Sequence, residues 1–407
     1  MTEHGDTKAA PPEAAVARTA TRTPRGLARY LSLDDFERVA RRRLPRMIHG
    51  YVAGAVETGA GLRFSREGYD ALALRPRVLV DVSDRSIATE LFGKRYAAPF
   101  GVAPVGGSAM IAYRGDLALA EAARAANVPM VMSASSLIKL EEVKAANPDA
   151  WFQAYLAGDL ARIEPMIDRV AAAGYETLVL TVDTPMLGNR ENNTRNGFSM
   201  PLKITPRVVL DSALHPWWSL GVIVRTFVNH GMPRFENMEA QQGPPMFSQN
   251  FARNFGARDR LCWDHARAIR RRWKGRFVIK GILSPEDARI ARDIGCDGII
   301  VSNHGGRQLD YAVAPIRALP GIVDVAGDMP VMIDGGIRRG TDVIKALALG
   351  AKFVFLGRPM IFAAFLGGAA GVGHAMRLLY EEIDRDMAML GINRLDELTP
   401  ETVLRAT

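Results

Sequence analysis

The stretch "IIVSNHGGRQLD" (299–310) ends an apolar run in a histidine, two glycines and an arginine. Ile299-Ile300-Val301 has the character of a buried strand, and a core rejects His304 and Arg307 unless they are used. An imidazole titrates near neutrality, so His304 is a candidate general base. Arg307 and Arg190 are fixed positive forks suited to a carboxylate. Asp183 ends "TLVLTVD" (177–183), where it can hold the tautomer of His304 and stabilise the imidazolium. Lys280 ends "RFVIK" (276–280). An ammonium there either stabilises negative charge on a cofactor or, if desolvated, forms a Schiff base. Those two uses separate two classes of reaction.

A second set of residues suits an anion. "DGGIRRG" (334–340) and "LGR" (356–358) each place glycine and arginine after an apolar run. Glycine lets backbone N–H groups approach closely, a following helix N-terminus favours negative charge, and arginine binds phosphate oxygens in pairs. The motif specifies a phosphate-bearing ligand without naming the compound.

Elements must bring these groups together. Eight short apolar runs alternate with amphipathic helical patterns: 99–104, 128–133, 151–155, 177–183, 276–280, 298–303, 330–334 and 352–357. Continuous apolar strands are covered on both faces, as in parallel sheets. Eight strand-then-helix units predict a (β/α)8 barrel, with a doubly wound sheet as the runner-up. Barrels keep their chemistry at the C-terminal ends of the strands. Gln153 and Tyr155, Thr181 and Asp183, Lys280, Asn303 and His304, Asp334 and Arg358 all stand at such ends. Between Asp183 and Arg276 about ninety residues occupy the space of one helix, an insertion placed at about 190–262. It contains "ALHPWWSLGVIVRTFVNHGMP" (213–233), which reads either as a packing lid or as an interfacial membrane contact with tryptophan among headgroups. A helix is expected at 33–43, opened by Ser32 with Asp35 three residues on. Residues 1–28 read as a disordered tail, leaving 29–400 as the barrel unit.

Composition narrows the class. The 407 residues are 48% hydrophobic and 24% charged, an ordinary globular balance. Net charge is +8, but no aromatic-interleaved basic stripe points to nucleic acid. No apolar run reaches 18 residues, and no apolar signal core opens the chain. The two cysteines, Cys262 and Cys296, lack metal spacing, so no metal site is expected and a cytoplasmic, reducing setting is.

"SNHGGRQLD", "DGGIRRGTDVIKALALGA", "LTVDTP" with "GNRE", "QAY", "IKG" and an early "LPRMIHGY" together resemble the FMN-dependent L-2-hydroxy-acid oxidase and dehydrogenase family over roughly residues 30–400. The segment after the fourth strand is most similar to membrane-associated bacterial mandelate dehydrogenases, with bacterial lactate dehydrogenases close behind. The resemblance implies that His304 takes a proton from the substrate, with Asp183 in support. It implies that Arg307 and Arg190 hold the carboxylate with help from Tyr51, and that Tyr155 bonds near the substrate hydroxyl. FMN is the implied cofactor. Lys280 would sit by its N1 and carbonyl, and Ser133, Gln153 and Thr181 would contact its ring, as would backbone at Ala103, Pro104, Val105 and Gly106. Ser302 and Asp334 belong to the same set, and Gly336, Arg338, Gly357 and Arg358 would hold the phosphate. The implied acceptor is a quinone, a cytochrome or oxygen. The implied assembly is a homotetramer, peripheral on the inner face of the cell membrane through 213–232.

Departures from the family pattern bear on the substrate. Gly106 stands where glycolate-specific relatives have alanine, Val105 replaces a common threonine, and Ser135 falls where plant glycolate oxidases keep tryptophan. Less bulk at Gly106 suits a larger substituent, Val105 removes a hydroxyl contact, and Ser135 widens the pocket; together the changes lean toward a bulky 2-hydroxy acid and away from glycolate.

Overall fold

The computed structural model describes residues 24–199, 202–246, 248 and 257–406. Eight parallel strands form one sheet: β1 (Phe100–Val102), β2 (Val131–Ser133), β3 (Trp151–Ala154), β4 (Thr177–Thr181), β5 (Arg276–Ile282), β6 (Gly298–Val301), β7 (Val331–Asp334) and β8 (Phe353–Leu356). Strand β8 pairs back with β1, and a parallel bridge from Val102 to Met130 joins β1 to β2. The sheet therefore closes as a (β/α)8 barrel, and the doubly wound alternative is set aside. Each apolar run of the sequence supplies one strand.

The lumen explains why these strands are apolar on both faces. Val131, Trp151, Val179, Val278, Ile300, Met332, Phe353 and Phe355 point inward and pack together. A hairpin, Thr89–Leu91 with Lys94–Tyr96, plugs the lower end. Its Leu91 and Tyr96 join the lumen cluster, and Phe92 meets Trp151 at 5.6 Å between centroids. The outer faces of the strands pack on helices such as Gly115–Ala125 and Gly340–Ala348.

Two N-terminal helices matter for the site. The helix Leu33–Arg43 begins as expected, with the Asp35 carboxylate accepting from the Ser32 N–H at 3.1 Å. The helix Arg46–Ala53 follows and carries Tyr51 to the mouth of the barrel. The expected tail, 1–28, lies outside the described residues as far as 23. Residues 24–28 are part of a turn, and Leu27 is buried, so the ordered body begins slightly earlier than expected.

The last helix, Arg358–Leu390, is long and apolar enough to cross a membrane by length and composition. Non-helical Gly367 and Gly368 interrupt it, and Met360, Phe362, Val372 and Leu379 bury it against the barrel.

The insertion folds over the C-terminal mouth as short helices, Pro206–Ala213, Pro216–Trp218 and Arg225–His230, with a π-helical run at Ser219–Val224. Trp218 anchors it, since its indole N–H donates to the Met110 carbonyl at 2.9 Å. Trp217 is 67% exposed beneath the Arg43 guanidinium. Leu210, Leu214, Leu220, Val224 and Val228 are also exposed.

Candidate active site

The loop after β6 carries three consecutive residues in the left-handed region: His304 (φ 56°), Gly305 (φ 63°) and Gly306 (φ 73°). A side chain at Gly306 would strike the Leu62 backbone N at 2.4 Å. The two glycines thus allow a tight coil at the strand tip, while His304 itself bears a left-handed cost of roughly 1–2 kcal/mol. The rest of "RQLD" locks the coil to the N-terminal region. Arg307 Nη1 donates to the carbonyls of Tyr51, Val52 and Gly54 at 2.6–3.2 Å, and Asp310 accepts from the Thr58 N–H at 2.9 Å.

His304 is the centre of a line of three groups. Its Nδ1 lies 3.0 Å from Asp183 Oδ1, and its Nε2 lies 3.3 Å from the Tyr155 hydroxyl. Burial pulls the His304 pKa below the ordinary imidazole value, against the raising effect of Asp183. Burial pushes Asp183 the other way, but the charge and hydrogen bond of His304, with the Lys280 ammonium, hold its carboxyl below the usual range. A neutral imidazole that donates from Nδ1 to a carboxylate leaves Nε2 as a proton acceptor. Strand β5 makes room for this pair. At Gly281 (φ 106°) its register with β6 shifts, and a Cβ there would meet Asp183 at 2.8 Å. Bulges beside active sites re-aim side chains in this way.

Lys280 is 3% exposed. Its ammonium donates to Ser302 Oγ at 2.8 Å and pairs with Asp334 at 3.1 Å. Burial lowers its pKa, yet Asp334, Asp183 and Tyr155 outweigh that and keep it protonated. A Schiff base needs a neutral amine. The ion pair therefore assigns Lys280 to fixed positive charge and argues against the Schiff-base use. Ser302 Oγ also accepts the His304 N–H at 3.0 Å, so one hydroxyl ties cation and base together.

Tyr155, Lys280, His304 and Asp334 face a cavity of about 490 Å³. Tyr51, Gly106, Tyr155, Arg190, His304 and Arg307 line one part of it. Ala103, Pro104, Val105, Lys280, Asp334, Gly336, Arg338, Gly357 and Arg358 line the rest. Ser133, Gln153, Thr181 and Ser302 are buried, outside the immediate lining. Arg190 is braced by the Gln308 side chain at 2.9 Å, and Tyr51 donates to the Gly106 carbonyl at 3.1 Å. Arg358 donates to the carbonyls of Val52, Gly54 and Gly305 at 2.9 Å. Burial and neighbouring Arg338 pull its pKa down to about 10. Arg338 reaches toward Asp34 and Glu37 at 3.8 and 3.7 Å, carboxylates of the first helix that the sequence did not connect to it.

Apart from Arg190, the lining residues of the insertion were not singled out in the sequence, Arg258 chief among them. Arg258 is buried, with its guanidinium carbon 4.7 Å from the centroid of Tyr155. It belongs to the insertion, where no strand rhythm marks which residues face the barrel. Phe198, Phe235 and Met246 reach the cavity from the same insertion.

Fold and site together define a (β/α)8 barrel enzyme built around an anion clamp, a buried cation and a carboxylate-backed histidine. Residues 40–405 match the family described as FMN-dependent dehydrogenase. The (S)-mandelate dehydrogenase of Pseudomonas putida is 38% identical over 91% of this chain and 93% of its own length. An L-lactate dehydrogenase of Caulobacter vibrioides is 41% identical over 92% of this chain and 97% of its own. A solved structure of the monotopic membrane protein (S)-mandelate dehydrogenase superposes with a TM-score of 0.86 at 37% identity, covering 93% of this chain and all of that one. The chain belongs to the FMN-dependent dehydrogenase family. FMN is its cofactor, and the reaction is the oxidation of an L-2-hydroxy acid to the 2-keto acid.

The residues fit that cofactor. Gln153 Nε2, Thr181 Oγ1 and Asp334 Oδ1 are buried and have no hydrogen-bond partner among the described residues. Donors and acceptors of this kind suit the polar edge of an isoalloxazine ring. Arg338 and Arg358, beside Gly335, Gly336 and Gly357, suit the phosphate. A Cβ at Gly336 would meet the Ser65 carbonyl oxygen at 2.6 Å, so glycine is required at this turn.

Proposed function

We propose that this enzyme oxidises a bulky L-2-hydroxy acid of the mandelate type and passes the electrons to a membrane acceptor. The observation that carries the chemistry is the line Tyr155–His304–Asp183, with contacts of 3.3 and 3.0 Å, beside two guanidiniums. Arg190 and Arg307 hold the substrate carboxylate, with the Tyr51 hydroxyl near it. Tyr155 donates toward the substrate oxygen. His304 Nε2 takes a proton from the substrate, and Asp183 fixes the tautomer and stabilises the imidazolium. Bound FMN supplies the two-electron acceptor. Lys280, Gln153, Ser133 and Thr181 hold the ring, and Gly336, Arg338, Gly357 and Arg358 hold the phosphate. Preorganised cations in a dry site count for far more than in water.

Room at Gly106 and Ser135 supports the bulky substrate, since both sit at the cavity wall. The exposed apolar face of the insertion supports peripheral membrane attachment, for which the proposed side is the inner face of the cell membrane. It also favours a membrane acceptor over oxygen. Assembly as a homotetramer completes the reading, and light scattering tests it.

The test is anaerobic. Yellow holoenzyme is mixed with L-mandelate, L-lactate or glycolate, and loss of the flavin absorbance is followed. L-Mandelate bleaches it fastest. His304→Ala keeps the colour and loses reduction by about 10²–10⁴-fold. A variant with Leu220, Val224 and Val228 changed to Asp moves from vesicle pellet to supernatant and still bleaches. Normal bleaching in His304→Ala refutes the assignment of the base.

A further inference from the structure

A second cavity, of about 390 Å³, lies between the insertion and the barrel. Met110, Leu137 and Met246 line both it and the active-site cavity, so the two share a wall. Ile223, Phe227 and Met232 of the insertion also line it. The same helical run turns Leu220, Val224 and Val228 to the outside. The cavity thus adjoins the chemistry on one flank and the exposed apolar face on the other.

Its lining is mixed. The Thr226 hydroxyl oxygen is buried with no hydrogen-bond partner among the described residues. Leaving such a group unsatisfied costs about 1–3 kcal/mol. His230 lies 2.9 Å from the Tyr113 hydroxyl and 3.2 Å from the Arg114 guanidinium. Lys139, Glu142, Arg234, Glu236 and Gln242 make the rest of the lining polar, so one side of the cavity is apolar and the other carries donors. That division suits a small planar ligand that carries carbonyl acceptors. Arg114 is already paired with Glu142 at 2.5 Å, so it is the Thr226 hydroxyl that a lipid tail would leave unanswered.

We propose that this cavity binds the ring of a membrane-soluble 1,4-quinone, the enzyme's electron acceptor. Thr226 and the Arg114–His230 pair donate to its carbonyl oxygens, and its tail leaves past Val224 and Val228. The inference rests on the reading above, in which a hydroxy acid reduces the bound cofactor and the acceptor is in the membrane. The exchange balances. The hydroxy acid gives up two electrons and two protons as its C–OH becomes C=O. The quinone takes two electrons by way of the cofactor and two protons, and its two C=O groups become C–OH.

The test uses detergent-solubilised holoenzyme and a short-tailed azido-1,4-benzoquinone. Photolabel is expected on peptides spanning 109–114 and 223–234, displaced by decyl-benzoquinone. Binding is also read from quenching of tryptophan fluorescence. Thr226→Val weakens binding by about tenfold. Ile223→Phe, which fills the cavity without adding a tryptophan, abolishes the labelling. In both variants the hydroxy acid still bleaches the flavin at the wild-type rate. Label on Tyr155 or His304, displaced by hydroxy acid, overturns the proposal by placing the quinone in the substrate site. Unchanged quinone affinity in both variants overturns it as well. Failure of hydroxy acid to bleach wild-type enzyme would strike the functional reading instead, while labelling still reports on the cavity.

Discussion

The Arg258 guanidinium lies over the ring of Tyr155, 4.7 Å from its centroid, and the Tyr155 hydroxyl in turn lies 3.3 Å from His304 Nε2. Burial raises the Tyr155 pKa, Lys280 lowers it, Asp183 raises it, and Arg258 lowers it. Burial pulls Arg258 itself down to about 10, so it remains a cation at neutral pH. Arg258 acts through Tyr155, as a positioning residue that holds the ring against the base. A desolvated cation–π contact is worth about 2 kcal/mol, or roughly 30-fold in rate if all of it is used in the transition state. Arg258→Met is expected to slow flavin reduction by up to that factor, with a smaller change in KM. Arg258→Lys restores part of the rate. A stopped-flow trace of flavin bleaching measures both.

The pairing of Asp183 with His304 sets a pH dependence with a defined sign. The base must be neutral, so kcat/KM falls as pH drops through the His304 pKa. Burial places that pKa below 6.5, and Asp183 works to raise it. Asp183→Asn removes the raising charge and moves the acidic limb to still lower pH. It also frees the tautomer and leaves the imidazolium without its counter-ion, which costs about 10²–10⁴-fold at the plateau. The profile of flavin-reduction rate against pH tests both effects. A limb that moves upward in Asp183→Asn would contradict the arrangement.

Much of this site is legible in the sequence because barrel strands are short, apolar and end in polar groups. "IIVSNH" and "RFVIK" announce their last residues as exceptions to burial, and the fold turns those exceptions toward one cavity. The glycines of "NHGG" were equally readable, since consecutive left-handed residues demand them. Arg258 was not readable, because the insertion has neither a period of two nor a helical stripe to say which way a side chain faces. The hairpin carrying Leu91, Phe92 and Tyr96 was missed for a related reason. Three-residue strands are too short to show alternation, and only the finished barrel reveals that its lower end needs a plug. The salt links from Arg338 to Asp34 and Glu37 join residues some three hundred positions apart, beyond any local pattern.

Lys280 and Asp334 form a pair whose side chains are 4% and 10% exposed. Breaking a buried pair strands one charge and costs about 3–5 kcal/mol. Lys280→Met is expected to lower the melting temperature of the apoprotein by that amount of stability and to weaken FMN binding. Adding Asp334→Asn to Lys280→Met removes the stranded carboxylate and recovers much of the stability without recovering FMN affinity. Thermal melts and flavin titrations separate the two roles. Borohydride in the presence of a keto acid leaves Lys280 unmodified in the wild type, since the ammonium stays protonated.

Gly106 tests the shape of the substrate. A Cβ built there lies 3.0 Å from Ser135 Cβ and 3.6 Å from the Tyr51 hydroxyl, tight against one neighbour and inside the cavity. Gly106 is not one of the glycines with positive φ, so alanine costs little in the backbone. The added methyl instead takes space from whatever group the 2-hydroxy acid carries beyond its carboxylate. A single methyl in a pocket of this kind changes selectivity by about 10–200-fold. Gly106→Ala is therefore expected to lower kcat/KM for L-mandelate by a factor in that range while changing the value for L-lactate much less. Because Tyr51 keeps its bond to the Gly106 carbonyl, which the substitution leaves in place, carboxylate binding persists. An equal loss for both acids would mean that the methyl disturbs the Tyr51 contact instead, and that the room at this wall does not select the substrate.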